Sequence, residues 1–172
     1  LNGGHRLFAS VAHLPASETI LARELKRGSI FLHKNKYCEV RSITAAGHGR
    51  SAAGGYELRL RELDTRKATE TKLADSAKVT LIRCEKVEMQ LLWKNEAARR
   101  LILADAEYNE VEIPMQQIGE EAAAEIESGE LVSIWMHEEQ IVKAAPNAAL
   151  QDELRSRQRK ARRQQLDARQ LA

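Results

Sequence analysis

Six of the nine residues in Arg155–Arg163, RSRQRKARR, are Lys or Arg, and none is acidic. Such side chains neutralise phosphates, and each phosphate so paired releases counterions and steepens the salt dependence of binding. Arg155, Arg157, Arg159, Lys160, Arg162 and Arg163 are therefore candidate RNA contacts; the alternative is a solvated, self-repelling tail. A second place is Thr44–Gly55, TAAGHGRSAAGG, where all is Gly, Ala, Ser or Thr except His48 and Arg50. An imidazole at a loop tip can stack on a base or hydrogen-bond to it; the alternative is a loop residue with no role. In the following YELRLREL, Arg59 and Arg61 alternate with Leu58 and Leu60, and with Arg66 and Lys67 they make a basic outer face.

Other chemistry finds little support. His5, His13, His33 and His137 have no metal-ligand spacing. Cys38 and Cys84 are far apart and form no C-x-x-C pair, which argues against a zinc ribbon or disulfide framework and suits a reducing compartment. Both fall on predicted strands, as small core residues. Trp93 and Trp135 read as core anchors at inward strand positions rather than base-stacking platforms, while Tyr37 and Tyr56, flanking the loop's strands, could be either. No Ser/His/Asp or Cys/His set stands in a recognisable arrangement. The chain is expected to be neither an enzyme nor a holder of a metal or cofactor. No apolar run approaches a membrane span, so no membrane partner is expected.

The net charge of +2 conceals a pattern. From Arg23 to Lys67 there are eleven bases and five acids, an excess of 11 − 5 = +6. From Ala104 to Val142 there are eleven acids and no Lys or Arg; from Ala149 onward, seven bases face three acids. A basic, then acidic, then basic chain suggests a polyanionic partner touched at selected places. The acidic middle reads as a solvated face kept away from RNA.

The elements that must position these groups are mostly strands. The chain has 172 residues, 43% apolar but only 4% aromatic, so its core rests on Leu, Ile, Val and Ala. SETILARELKRG reads as a short turn N-capped by Ser17 and closed by Gly28. SIFLH and KYCEVRSI read as strands joined by a tight turn at Lys34–Asn35, followed by YELRLREL and KATETKL. These make a small β-barrel over residues 23–79, after an N-terminal extension of residues 1–22. A second set, residues 80–146, begins with KVEMQLLWK and continues through RRLILAD and YNEVEIP. A helix over Met115–Ser128 follows, then a hairpin of ELVSIWM and QIVKA turning at Glu138–Glu139. Three strands, a helix and two strands is the order of an OB-fold. Residues 147–172 read as a basic helical tail, with Asn147 as its N-cap. Its stretch 155–165 has no apolar stripe, so this helix needs a partner or extends into solvent.

In ordered pieces the chain resembles bacterial elongation factor P and, more distantly, the hypusine-bearing initiation factor of archaea and eukaryotes. The matching stretches are ELKRGSIFLHKNKYCEV, GHG followed by YELRLREL, MQLLWK, YNEVEIPMQQIGE and ELVSIWMHEEQIV, together spanning roughly residues 23–146. The resemblance implies a mainly β fold of two tandem small barrels, KOW-like (SH3-like) then OB-fold, here followed by a C-terminal basic α-helical extension. It also implies that the loop of the first barrel probes the peptidyl-transferase centre of the ribosome. The family's loop tip reads Pro-Gly-Lys-Gly or similar, with a modified Lys or, in one branch, an Arg. Ala46, Gly47, His48 and Gly49 correspond, so His48 stands where the family has Lys or Arg. Gly47 and Gly49 would let the backbone turn sharply and approach RNA, and Arg50 lies beside them. The family's third domain is expected to be missing, with the basic helix in its place.

These features lead to an expected function. The chain is expected to bind ribosomal RNA and ribosomal proteins of the large subunit, with tRNA as a further candidate, as an integral or assembly component of an organellar ribosome. The opening LNGGHRLFAS, with Arg and Ser but no acid, resembles the remnant of a transit segment and points to the mitochondrion; the alternative is a flexible or trimmed end. The competing function is a working elongation factor P that visits the peptidyl-transferase centre transiently, in the cytoplasm.

Overall fold

The computed structural model describes residues 15–46 and 54–170. Among the described residues, eleven strands form two antiparallel sheets. The first contains β1 (Ser17–Leu21), β2 (Ile30–His33), β3 (Lys36–Ala46), β4 (Gly55–Glu62), β5 (Ala68–Ala74) and β6 (Lys78–Ile82), in the order β1-β6-β2-β3-β4-β5. Lys34 and Asn35 both take positive φ, as a two-residue hairpin turn between β2 and β3 requires. Alternation places Leu58 and Leu60 inside with Phe31, Cys38, Val40 and Val79. Ile20 of β1 and Leu73 of β5 pack against this same core from opposite edges, so the sheet curls into a barrel.

One segment differs from its sequence reading. Ser17 caps no helix: Ser17–Leu21 pairs residue for residue with Ile82–Lys78 of β6, and only Ala22–Glu24 makes a 3-10 turn. Pairing with a free sheet edge outweighs the local helical spacing of Ile20, Leu21 and Leu25. β1 thus joins the barrel from within the expected extension, and β6 carries the first sheet past residue 79, to Ile82.

The second sheet contains β7 (Glu85–Asn95), β8 (Arg100–Ala104), β9 (Glu110–Pro114), β10 (Leu131–His137) and β11 (Gln140–Pro146), in the order β11-β10-β7-β8-β9. Helices α1 (Met115–Ile118) and α2 (Glu120–Glu125) lie between β9 and β10 in the chain. Met115 and Ile118 of α1 share one buried cluster with Ile113 of edge strand β9 and Ala144 of edge strand β11, so α1 plugs the gap between the edges. Leu91, Leu101, Leu103, Ile126 and Ile134 fill that core, each stabilising the fold by about 2–3 kcal/mol relative to exposure. The architecture is mainly β: an SH3-like barrel, then an OB-like one, then the C-terminal helix α3 (Ala148–Gln170). Among the described residues no helix is long and apolar enough to cross a membrane.

Two further expectations are corrected. The helix over Met115–Ser128 is instead α1 and α2, broken at Gly119, whose φ is +102°. The tryptophans are not core anchors. A bulge between Leu91 and Trp93 inserts Leu92 and reverses the alternation, leaving Trp93 51% exposed. Trp135, also beside a bulge, is half-buried, with the Lys143 and Lys86 ammonium groups 4.5 Å and 5.4 Å from its ring centroid. Cys38 is buried and Cys84 half-buried, and burial pushes both thiols up, as suits packing rather than reactivity.

Candidate nucleic-acid interface

β3 and β4 pair out to Ala46 opposite Gly55, so their hairpin carries the segment 47–53 at its end. Gly47, His48, Gly49 and Arg50, the expected RNA-probing tip, lie outside the described residues. The base of the tip is tightly built: a Cβ on Gly55 would stand 2.9 Å from the Leu73 carbonyl oxygen, so the β4–β5 approach requires glycine there.

The basic face of β4 divides in two. Arg59 donates to Glu70 across the ladder at 2.9 Å, and Lys72 pairs with Glu57 at 2.7 Å. Here the outer surface is charge-balanced, and exposed pairs of this kind are readily exchanged for other partners. Arg61 belongs to a different neighbourhood. Its register partner on β3 is Glu39, and it faces the second barrel.

Several contacts join the barrels at that point. Lys143 of β11 donates to Glu39 at 2.7 Å, and Arg41 approaches the same carboxylate at 3.4 Å. Arg41 sits at a bulge, so that it and Ser42 both fall between inward Val40 and Ile43. Tyr37 of β3 and His137 of β10 are hydrogen-bonded, oxygen to Nδ1, at 3.0 Å. Arg66, in the β4–β5 turn with φ +57°, donates to the Gln117 carbonyl at 3.3 Å. Its guanidinium lies against Gly119, where a Cβ would stand 3.3 Å from Cζ.

Between these contacts lies a cleft of about 600 Å³. Five cations line it, Arg41, Arg61, Arg66, Lys143 and Arg155, against three carboxylates, Glu39, Glu120 and Glu121, an excess of 5 − 3 = +2. The carboxylates are engaged: Glu39 as above, Glu120 by Arg99, and Glu121 by the Gln158 amide. Arg61 has neither a side-chain hydrogen bond nor an ion pair among the described residues. Burial first, then the Arg41 charge, lowers the Arg61 guanidinium below its ordinary value, with Glu39 opposing. Arg66 is lowered likewise, by burial and then by Arg61 and Arg41.

The tail helix also divides. Its first half docks on the second barrel: Arg157 pairs with Glu125 of α2 at 2.9 Å and with Glu153 at 2.7 Å, and these hydrogen bonds raise its pKa. Arg155 reaches Asp152 at 3.5 Å. So the partner this helix needs is in part the chain's own acidic segment, some of whose carboxylates hold the tail instead of standing clear. Arg159, Lys160, Arg162 and Arg163 are exposed and form no ion pair among the described residues. The structure therefore brings Arg61 and Arg155 to one cleft, ties Arg59 and Arg157 to carboxylates, and leaves four tail cations in water. Arg41 and Lys143 are contributors that sequence reasoning passed over; the bulge at Arg41 has no signature in the alternation.

No protein-family model and no curated protein matches the chain. Solved structures do. The chain is similar to a translation initiation factor eif-5a family protein from Naegleria fowleri ATCC 30863, at 14% identity and a TM-score of 0.55, over 76% of this chain and 99% of that one. It is similar to the eukaryotic translation initiation factor 5A from Methanococcus jannaschii at 18% identity and the same TM-score, over 76% of this chain and 98% of that one. At such identities the likeness is one of fold.

Proposed function

We propose that this chain is a ribosome-associated, rRNA-binding protein of the elongation factor P type, acting as a binding protein and not as an enzyme. In this reading it is an integral or assembly component of a mitochondrial large ribosomal subunit, with ribosomal RNA and large-subunit proteins as its partners. The observation that carries the reading is the placement of two features on a fold shared with translation factors. One is the long β3–β4 hairpin that leads to the segment carrying His48 and Arg50 in the sequence, and the other is a helix bearing Arg159, Lys160, Arg162 and Arg163 without acidic partners among the described residues. A pair of barrels braced by Tyr37, Arg66 and Lys143 can hold both features in fixed relation to folded RNA. The competing reading, a factor that visits the peptidyl-transferase centre and leaves, draws on the same hairpin.

Sedimentation separates them. Ribosomes from cells expressing the tagged chain are spun through sucrose at low and at high salt, with cytosolic and mitochondrial fractions kept apart. A resident component stays with the large subunit of mitochondrial ribosomes in high salt, whereas a cycling factor washes off. Absence of the chain from every ribosomal fraction at low salt overturns both.

A further inference from the structure

The cleft between the barrels holds a half-buried Arg61 that makes no side-chain hydrogen bond or ion pair among the described residues, flanked by Arg41 and Arg66. We propose that this cleft is a phosphate-binding site, in which Arg61 and Arg66 supply the donors. A junction needed only for rigidity has no use for such a cation. Glu39 already pairs with Lys143 and Arg41, and Arg66 is anchored by the Gln117 carbonyl, yet Arg61 is withdrawn from water beside the Arg41 charge with only the shared Glu39 charge to oppose it. That arrangement is unfavourable while the cleft is empty and favourable once a phosphate anion enters. Guanidinium groups meet phosphate oxygens in pairs of parallel hydrogen bonds, with an advantage over ammonium groups at such sites. The cleft volume of about 600 Å³ lies in the ordinary range for ligand sites and far exceeds a single phosphate, so the group can arrive as part of a longer chain. The Trp135 ring on its wall already has Lys143 4.5 Å from its centroid, so the cleft offers charge more than a free stacking surface. That the phosphate belongs to an RNA backbone rests on the function proposed above; that the cleft takes phosphate does not.

The test uses the full chain, its Arg61→Gln variant, and Arg61→Lys, which keeps the charge and loses the fork. Melting temperature is followed against inorganic phosphate at constant ionic strength, with glutamate as the control anion. The wild type should gain about 3 °C at ten times the phosphate dissociation constant. Arg61→Gln should lose most of that gain while melting no lower than the wild type in its absence, and Arg61→Lys should keep part of it. An equal gain in Arg61→Gln, an equal gain from glutamate, no gain in the wild type, or a lower melting point for Arg61→Gln without phosphate each overturns the site. A second arm measures binding of a labelled RNA hairpin. A loss of about fivefold in Arg61→Gln assigns the phosphate to RNA. Unchanged RNA affinity beside a lost phosphate response overturns that assignment and leaves a site for free phosphate or a small phosphorylated molecule. Failure of the wild type to sediment with ribosomes, with the phosphate response intact, sinks the ribosomal reading alone.

Discussion

Lys143 of β11 and Glu39 of β3 form an ion pair that spans the two barrels, Nζ to Oε1 at 2.7 Å. Glu39 is only 6% exposed, and this lysine together with Arg41 at 3.4 Å faces its desolvated carboxylate. A buried charge stripped of its partner costs more than the pair contributes, because the remaining ion stays desolvated.

Replacing Lys143 by Met should therefore destabilise the protein by about 2 kcal/mol, since Arg41 still offers partial compensation. The melting temperature should fall by about 4–8 °C. The double variant Lys143→Met with Glu39→Gln should recover most of the loss. A double variant as unstable as the single would show that packing of the lysine stem, and not the pair, holds the junction.

The four tail cations that form no ion pair among the described residues should govern the salt dependence of RNA binding. Exchanging Arg159, Lys160, Arg162 and Arg163 for Gln should lower the slope of log K against log salt by about 3, since each neutralised phosphate contributes about 0.7 to 0.9. Exchanging Arg59, paired with Glu70, should lower it by less than one exposed tail cation does. Fluorescence anisotropy across a salt series reads both.

Glu125 should act against RNA in two ways, as a like charge beside the tail and as the rival partner of Arg157. Glu125→Gln is expected to raise RNA affinity about twofold and to loosen the docked half of α3. Faster amide exchange over residues 155–158 would report the loosening. Unchanged exchange would mean that Arg157 does not hold the helix in solution.

Acid should weaken the protein partly through Glu62. Hydrogen bonds from Lys36, at 2.8 Å, and from the Thr65 hydroxyl hold its carboxyl below the ordinary 4.5. A carboxylate with a lower pKa folded than unfolded adds stability above pH 4.5, and loses it as pH falls through the folded value. Glu62→Gln lacks that increment, so its melting temperature should fall less steeply than the wild type's between about pH 5 and 3. Parallel acid limbs would show that the pair is absent in solution.

Where alternation is strict, the fold could be read directly from the chain. YELRLREL gives β4, with Leu58 and Leu60 inside, and the Lys34–Asn35 and Glu138–Glu139 turns fall where the polar pairs sit. Alternation fails where a bulge adds a residue. Leu92 leaves no mark in the pattern, so Trp93 reads as inward and lies outside. Helical spacing misleads where an edge strand waits for a partner, as in Ser17–Leu21 against β6.

The candidate site was legible as charge and not as geometry. Arg59 and Arg61 look equivalent along one strand, but one meets Glu70 and the other faces a second barrel, a difference set by tertiary packing. The same holds for the tail, where the segment from Arg155 to Arg163 reads as uniform and the fold divides it between carboxylates and water.

Gly119 ends one helix, begins the next and gives the Arg66 guanidinium a bed to lie on. Its φ of +102° is one that L residues shun, and even an alanine methyl group would press on that guanidinium. The waist of the molecule is thus keyed to a lone hydrogen atom. Any side chain at this position would strain the backbone of one half and press the arginine of the other a few tenths of an ångström off its seat.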